Sequence, residues 1–130
     1  AGKRSPDAPA VHRGAAGIAE RARQLIHGSY LDDISAGDLA SVTGHSRFTV
    51  YRAFTSTYGM APSDYQRQLR LRTARRLIAQ GHPISDVAAQ TGFADQSHLT
   101  RWFSRYYGVT PGGYQRACAP CHSASVDHVA

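Results

Sequence analysis

Residues 52–67 read RAFTSTYGMAPSDYQR and residues 101–116, 49 positions later, read RWFSRYYGVTPGGYQR, with eight of the sixteen positions identical. No other feature narrows the fold of this 130-residue chain as much. A segment that repeats Arg, Phe, Tyr-Gly, Pro and Tyr-Gln-Arg in one order builds one supersecondary unit twice, each copy burying the same side chains. Spacing says what the unit is. Val50, Phe54 and Tyr58 recur at i, i+4 and i+8, as do Leu99, Phe103 and Tyr107, which is the buried edge of an amphipathic helix. Gly59 and Gly108 end those helices.

Each of these helices follows a shorter one. Ser35 and Asp38 form a capping-box pattern ahead of Leu39, Ala40 and Val42, and Thr43-Gly44 stops that helix before Ser46 caps the next. In the second copy, Val87 to Thr91 leads to Gly92 and then to Asp95 as the cap. Leu39 and Gly44 map onto Val87 and Gly92 with an offset of 48, whereas residues 52–67 map with an offset of 49, so the second turn holds one additional residue. Two short helices around a tight glycine turn, the second one amphipathic, form a helix-turn-helix. Ahead of the first copy, Ile18, Ala22, Leu25 and Ile26 mark one helical face that Gly28 closes. Between the copies, Pro62 opens a helix from Ser63 to about Gln80 that offers Tyr65, Leu69, Ala74, Leu77 and Ile78 for burial, until Gly81-His82-Pro83 ends it.

The expected fold is all-α, with two helix-turn-helix subdomains joined by a long linker helix. The segments are a flexible tail or linker over 1–14, a first subdomain over 15–60, the linker helix over 61–81, a second subdomain over 82–116 and a flexible tail over 117–130. The opening stretch, AGKRSPDAPAVHRGAAG, has the Pro/Ala/Gly content of an interdomain linker and no hydrophobic signal core. No apolar run approaches membrane-spanning length, so the expected location is the cytoplasm.

Turning 100° per residue from the buried Val50 places Phe48, Arg52 and Thr55 on the opposite face, flanked by Tyr51; from Leu99 it places Ser97, Arg101 and Ser104 there, flanked by Thr100. In a major groove an arginine bonds guanine O6 and N7 together, hydroxyls donate or accept, and an apolar ring meets a thymine methyl. Charge agrees with that partner. Lys and Arg number 15 against nine acids, a formal net charge of +6 made mostly of arginine, which favours anions recognised through two bonds at once. The linker helix carries Arg67, Arg70, Arg72, Arg75 and Arg76 with no acid from Tyr65 to Ala79, either to meet phosphate or as a solvated face. Its 18 or so residues span roughly 27 Å, against about 34 Å between successive major grooves.

From about Ile18 to Arg116 the chain resembles the DNA-binding domain of the AraC/XylS family of bacterial transcription regulators, above all in ISDVAAQTGFADQSHLTRWFSRYYGVTPGGYQR. The resemblance implies about seven helices and promoter binding as activator or repressor, with double-stranded DNA and RNA polymerase as partners. It also implies an N-terminal effector or dimerisation domain outside this chain. Base reading then falls on Phe48, Tyr51 and Arg52 in the first recognition helix and on Gln96, Ser97, Thr100 and Arg101 in the second, Gln96 by resemblance only. Ser46, Thr55, His98, Ser104 and Arg105 are the expected phosphate contacts. Thr55-Ser56 and Ser104-Arg105 stand where the family often has lysines, which predicts a weaker phosphate grip in the first copy. Gly112-Gly113 weakens the last helix by on the order of 1 kcal/mol per glycine.

Other chemistries find little support. The chain has no G-x-S-x-G, no H-E-x-x-H, no Gly-rich phosphate loop and no paired carboxylates in one segment, so no enzyme and no cofactor is expected. CAPCH, Cys118 to His122, matches the haem-attachment pattern, but no export signal accompanies it. Cys118, Cys121, His122 and His128 have ligand-type side chains without a second C-x-x-C. The readings left beside sequence-specific DNA binding are a metal- or redox-responsive regulator using the cysteine pair and a non-specific architectural DNA binder.

Overall fold

The computed structural model describes the backbone of residues 4–119 and the side chains of residues 14–119. The described residues form seven helices and no strand: α1 (Arg4–Ser29), α2 (Ala36–Thr43), α3 (Arg47–Tyr58), α4 (Pro62–Ala79), α5 (Ile84–Gln90), α6 (Gln96–Tyr107) and α7 (111–119). None is long and apolar enough to cross a membrane. They belong to two units that divide between Leu69 and Arg70, so α4 is shared between them.

In the first unit, Ile18, Ala22 and Ile26 of α1 pack with Leu39 of α2, Val50 and Phe54 of α3, and Leu69 of α4. The local signals behave as their chemistry requires. Ser35 Oγ accepts from the Asp38 N–H at 3.0 Å while Asp38 Oδ2 accepts from the Ser35 N–H at 2.8 Å, closing the capping box. The Ser35 backbone N–H foremost, then the Ser35 side chain, lowers the Asp38 pKa. Ser46 Oγ caps α3 by accepting from the Thr49 N–H at 3.1 Å. Between α1 and α3, Glu20 receives two bonds from Arg23, at 2.9 and 2.7 Å, and one from the Tyr58 hydroxyl at 2.8 Å. Arg23 chiefly, then Tyr58, holds the Glu20 carboxyl at about 2, well below the usual range.

The second unit repeats the design with its own core: Leu71, Ala74 and Ile78 of α4, Val87 and Ala88 of α5, Phe93 in the turn, and Leu99 and Phe103 of α6. Asp95 Oδ1 caps α6 through the His98 N–H at 2.8 Å. Phe54 meets Tyr58 at 4.8 Å and Tyr65 at 5.9 Å, and Phe103 meets Tyr107 at 4.7 Å and Tyr114 at 5.9 Å, so the repeated aromatics are one three-ring cluster built twice. The repeated glutamine has an equally definite task. Gln66 Nε2 donates to the carbonyls of Tyr30 (3.1 Å) and Asp32 (2.8 Å), just past α1, and Gln115 Nε2 donates to those of Ile78 (3.2 Å) and His82 (2.7 Å), at the end of α4. Each unit thereby ties its last helix to the end of its first, satisfying carbonyls that a helix terminus leaves open. Gly59 and Gly108 turn the chain out of α3 and α6 at φ values of 74° and 77°, where a Cβ is disfavoured, and their N–H groups bond Thr55 and Ser104 carbonyls.

Three expectations change. Helix α1 starts at Arg4 and runs to Ser29, taking in most of the segment read as a tail and passing Gly28. Alanines at 8, 10, 15 and 16 favour helix there; Pro6 falls in the first turn, where a missing N–H breaks no intrahelical bond, whereas Pro9 removes one. Leu71, absent from the expected core, is 1 % exposed, because α4 supplies two cores and not a single stripe. The glycine pair at 112–113 lies inside α7: Thr110 Oγ1 caps it through the Gly113 N–H at 3.0 Å and the buried Pro111 opens it. Residues 117–119 belong to α7, with Cys118 half-buried, while Cys121, His122 and His128 lie outside the described residues. Among the described residues no His, Cys, Asp and Glu side chains gather as a metal site.

Candidate nucleic-acid interface

Capping fixes the first turn of α3 and of α6, and burial of Val50 and Phe54, or of Leu99 and Phe103, fixes which face looks outward. On α3 that leaves Phe48 68 % exposed and Tyr51 52 % exposed, with Arg52 exposed between them. The Arg52 guanidinium lies 5.5 Å from the Phe48 ring centroid, so the ring's face holds the charge without an acid. Phe48 and Arg52 border one shallow concavity; Tyr51 borders a different one, on the side toward α2 and the start of α4. On α6, Gln96, Ser97, Thr100 and Arg101 surround a single shallow concavity. Gln96, Ser97 and Arg101 are exposed and Thr100 is half-exposed. Neither Arg52 nor Arg101 has an ion pair among the described residues.

The flanking residues are less uniform. Arg105 is exposed, its guanidinium 5.5 Å above the Trp102 ring. Ser46 is exposed but engaged in capping, and its hydroxyl also donates to Thr49 Oγ1 at 2.9 Å. Thr55 donates its one hydroxyl proton to the Tyr51 carbonyl at 2.9 Å, which leaves no proton for a phosphate oxygen. Ser104 is half-exposed, but its Oγ is buried and has no hydrogen-bond partner among the described residues. His98 is also occupied. Its Nε2 faces the Trp102 indole N–H at 3.1 Å and its Nδ1 the Ala94 N–H at 3.4 Å, with the Phe93 ring edge at 5.6 Å. A neutral imidazole has one acceptor nitrogen, so the shorter contact sets the tautomer and the ring accepts from Trp102. In that arrangement His98 braces α6.

Of the α4 arginines, Arg67 pairs with Asp64 at 3.0 Å, Arg70 donates to the Gly92 carbonyl at 3.1 Å and Arg75 stacks over Tyr107 at 5.1 Å. Arg72 and Arg76 are exposed. One outward residue escaped the sequence reading. Arg47, the first residue of α3, is exposed with no hydrogen bond or ion pair among the described residues. Periodicity pointed away from it because a helix start is governed by the turn before it.

Two capped helix-turn-helix units, each showing an unpaired arginine at the same step of its second helix, define a class of helical DNA-binding proteins. Comparison with known proteins narrows the class. Residues 39–117 match a family described as a helix-turn-helix domain. A putative AraC-like transcription regulator of Streptomyces antibioticus is 31 % identical over 123 residues, covering 91 % of this chain and 40 % of that protein. The probable transcriptional regulator LumQ of Photobacterium leiognathi is 34 % identical over 102 residues, covering 74 % of this chain and 41 % of the relative. Among solved structures, an AraC-type regulator from Chromobacterium violaceum superposes with a TM-score of 0.73 at 27 % identity, covering 82 % of this chain and 96 % of that one. The DNA-binding domain of AdpA, in complex with a target DNA, does so with a TM-score of 0.67 at 28 % identity, over 77 % and 90 % of the two chains. The chain belongs to the AraC/XylS family of transcription regulators and carries its DNA-binding domain. It spans under half the length of these curated relatives.

Proposed function

We propose that the domain binds a specific double-stranded DNA sequence at promoters, with α3 and α6 in successive major grooves, and so activates transcription in the bacterial cytoplasm. The observation that carries this is the recurrence of one exposed, unpaired arginine, Arg52 and Arg101, on the outward face of a capped helix in each unit. A repeated solvent-facing arginine has no task in either core. Phe48, Tyr51 and Arg52 read bases through the first unit, and Gln96, Ser97, Thr100 and Arg101 through the second. Arg105 is the phosphate contact best placed for that role, and Arg47 joins it. Support also comes from AdpA, whose similar domain was solved on its target DNA, and from the relative NphR, which is named a transcriptional activator. RNA polymerase and an effector or dimerisation domain elsewhere in the full-length protein complete the mechanism. The test is selection of bound duplexes from a random pool at fixed salt concentration. A motif in two parts about one helical turn apart is expected. Retention of all sequences alike would establish a non-specific binder instead.

A further inference from the structure

We propose that a cavity beside the first recognition helix binds a small apolar carboxylate, of the bulk of one six-membered ring, and that its occupancy weakens DNA binding by the first unit. The cavity measures about 160 Å³ and its walls include Ile26, Ile34, Leu39 and Val50, all of the first unit. An apolar cavity of about 150 Å³ accepts a benzene-sized guest. Arg47 and Tyr51 stand at its rim. The Arg47 guanidinium lies across Gly37, with Nη2 3.1 Å from where a Cβ at that glycine would be, so the missing side chain leaves it room at the mouth. It has no acid among the described residues, so an incoming carboxylate gains a two-bond partner without displacing one. Apolar walls with one cation at the opening select an amphipathic anion over a neutral ring or a bare ion.

The effect on DNA rests on the reading proposed above; the binding step does not. A carboxylate held by Arg47 sets negative charge where phosphate must approach, and its ring packs against the inner side of Tyr51. Ligand and DNA therefore weaken each other by the same factor.

The test titrates the chain with cyclohexanecarboxylate, cyclohexylmethanol and acetate at constant ionic strength, following methyl and amide resonances of Ile26, Leu39 and Val50. Saturable shifts are expected with the ring acid, about tenfold weaker binding with the alcohol, and none with acetate. Arg47→Gln should remove the preference for acid over alcohol. Ala36→Leu, which adds bulk at an exposed lining position across the mouth, should abolish the shifts, its own amide spectrum showing that it is folded. Saturating ring acid should lower affinity for a selected duplex by about fivefold or more in the parent and leave the Ala36→Leu protein unaffected. The proposal is overturned if the alcohol binds as tightly as the acid, if acetate reproduces the shifts, if no shift saturates in the millimolar range, or if the loaded protein binds the duplex undiminished. A chain that binds no duplex without any acid defeats the DNA reading and leaves the resonance titration to decide the cavity.

Discussion

At the scale of single residues, exposure and hydrogen bonding separate side chains that helical periodicity treats alike. Arg101 is outward and has no acid partner among the described residues, so Arg101→Ala should weaken binding to the selected duplex by about 1 to 3 kcal/mol and relax preference at one base pair. A competition assay across single-base variants measures this; equal weakening on every variant would make Arg101 a phosphate contact. His98 tests the opposite role. Because its ring accepts the Trp102 indole N–H, His98→Ala should cost the second unit about 1 kcal/mol in urea unfolding and leave the salt-dependence slope of DNA binding unchanged. A slope shallower by about one would show that His98 neutralises a phosphate. The outward arginines were legible from spacing, since Val50 and Leu99 fixed the buried direction. The buried hydroxyl of Ser104 was not, because spacing ranks whole residues and says nothing about a single atom. The repeated glutamines were visible as identities, but their partners lie 33 to 37 residues away, and spacing says nothing about carbonyls so distant.

Elements follow sequence most closely where a local rule fixes an end. The capping box at Ser35, the caps at Ser46 and Asp95, and the exits at Gly44, Gly59 and Gly108 all fall where the sequence puts them. Faces set by distant packing do not: α4 buries Leu71 because it answers to a core whose other walls are far along the chain. Gly59→Ala and Gly108→Ala should each destabilise their own unit by about 1 kcal/mol, since alanine must then hold a left-handed backbone. Thermal unfolding of the two variants measures it. The union of α1 with α3 has a pH dependence of definite sign. Glu20 is held at about 2 in the folded unit by Arg23 and then Tyr58, below its ordinary value of 4.5. A lowered folded pKa contributes stability above the unfolded pKa and loses it as pH falls through the folded one. The parent should therefore be more stable than Glu20→Gln at neutral pH, with the gap closing between about 4.5 and about 2. A gap that persists through that window would assign the difference to packing.

On the scale of the whole molecule, the duplication foretold two units, and each has its own closed core. What the repeat could not show was where α4 would be divided between them, because it marks the two copies and not the helix that joins them. Phe103→Ala should cost the second unit about 3 to 5 kcal/mol, as loss of a fully buried ring does, while amide exchange in α1 and α3 keeps the parental rates. Loss of protection in both units together would show that they unfold as one body. The duplication stops short in one respect. Where the second copy has Trp102, the first has Ala53, and Trp102 is the chain's single tryptophan. It touches His98 and carries Arg105 on its face, at the edge of the second reading surface. Indole emission from this protein thus arises in one unit alone and the other is dark, so a titration with DNA carries a natural, label-free signal for half of the binding event.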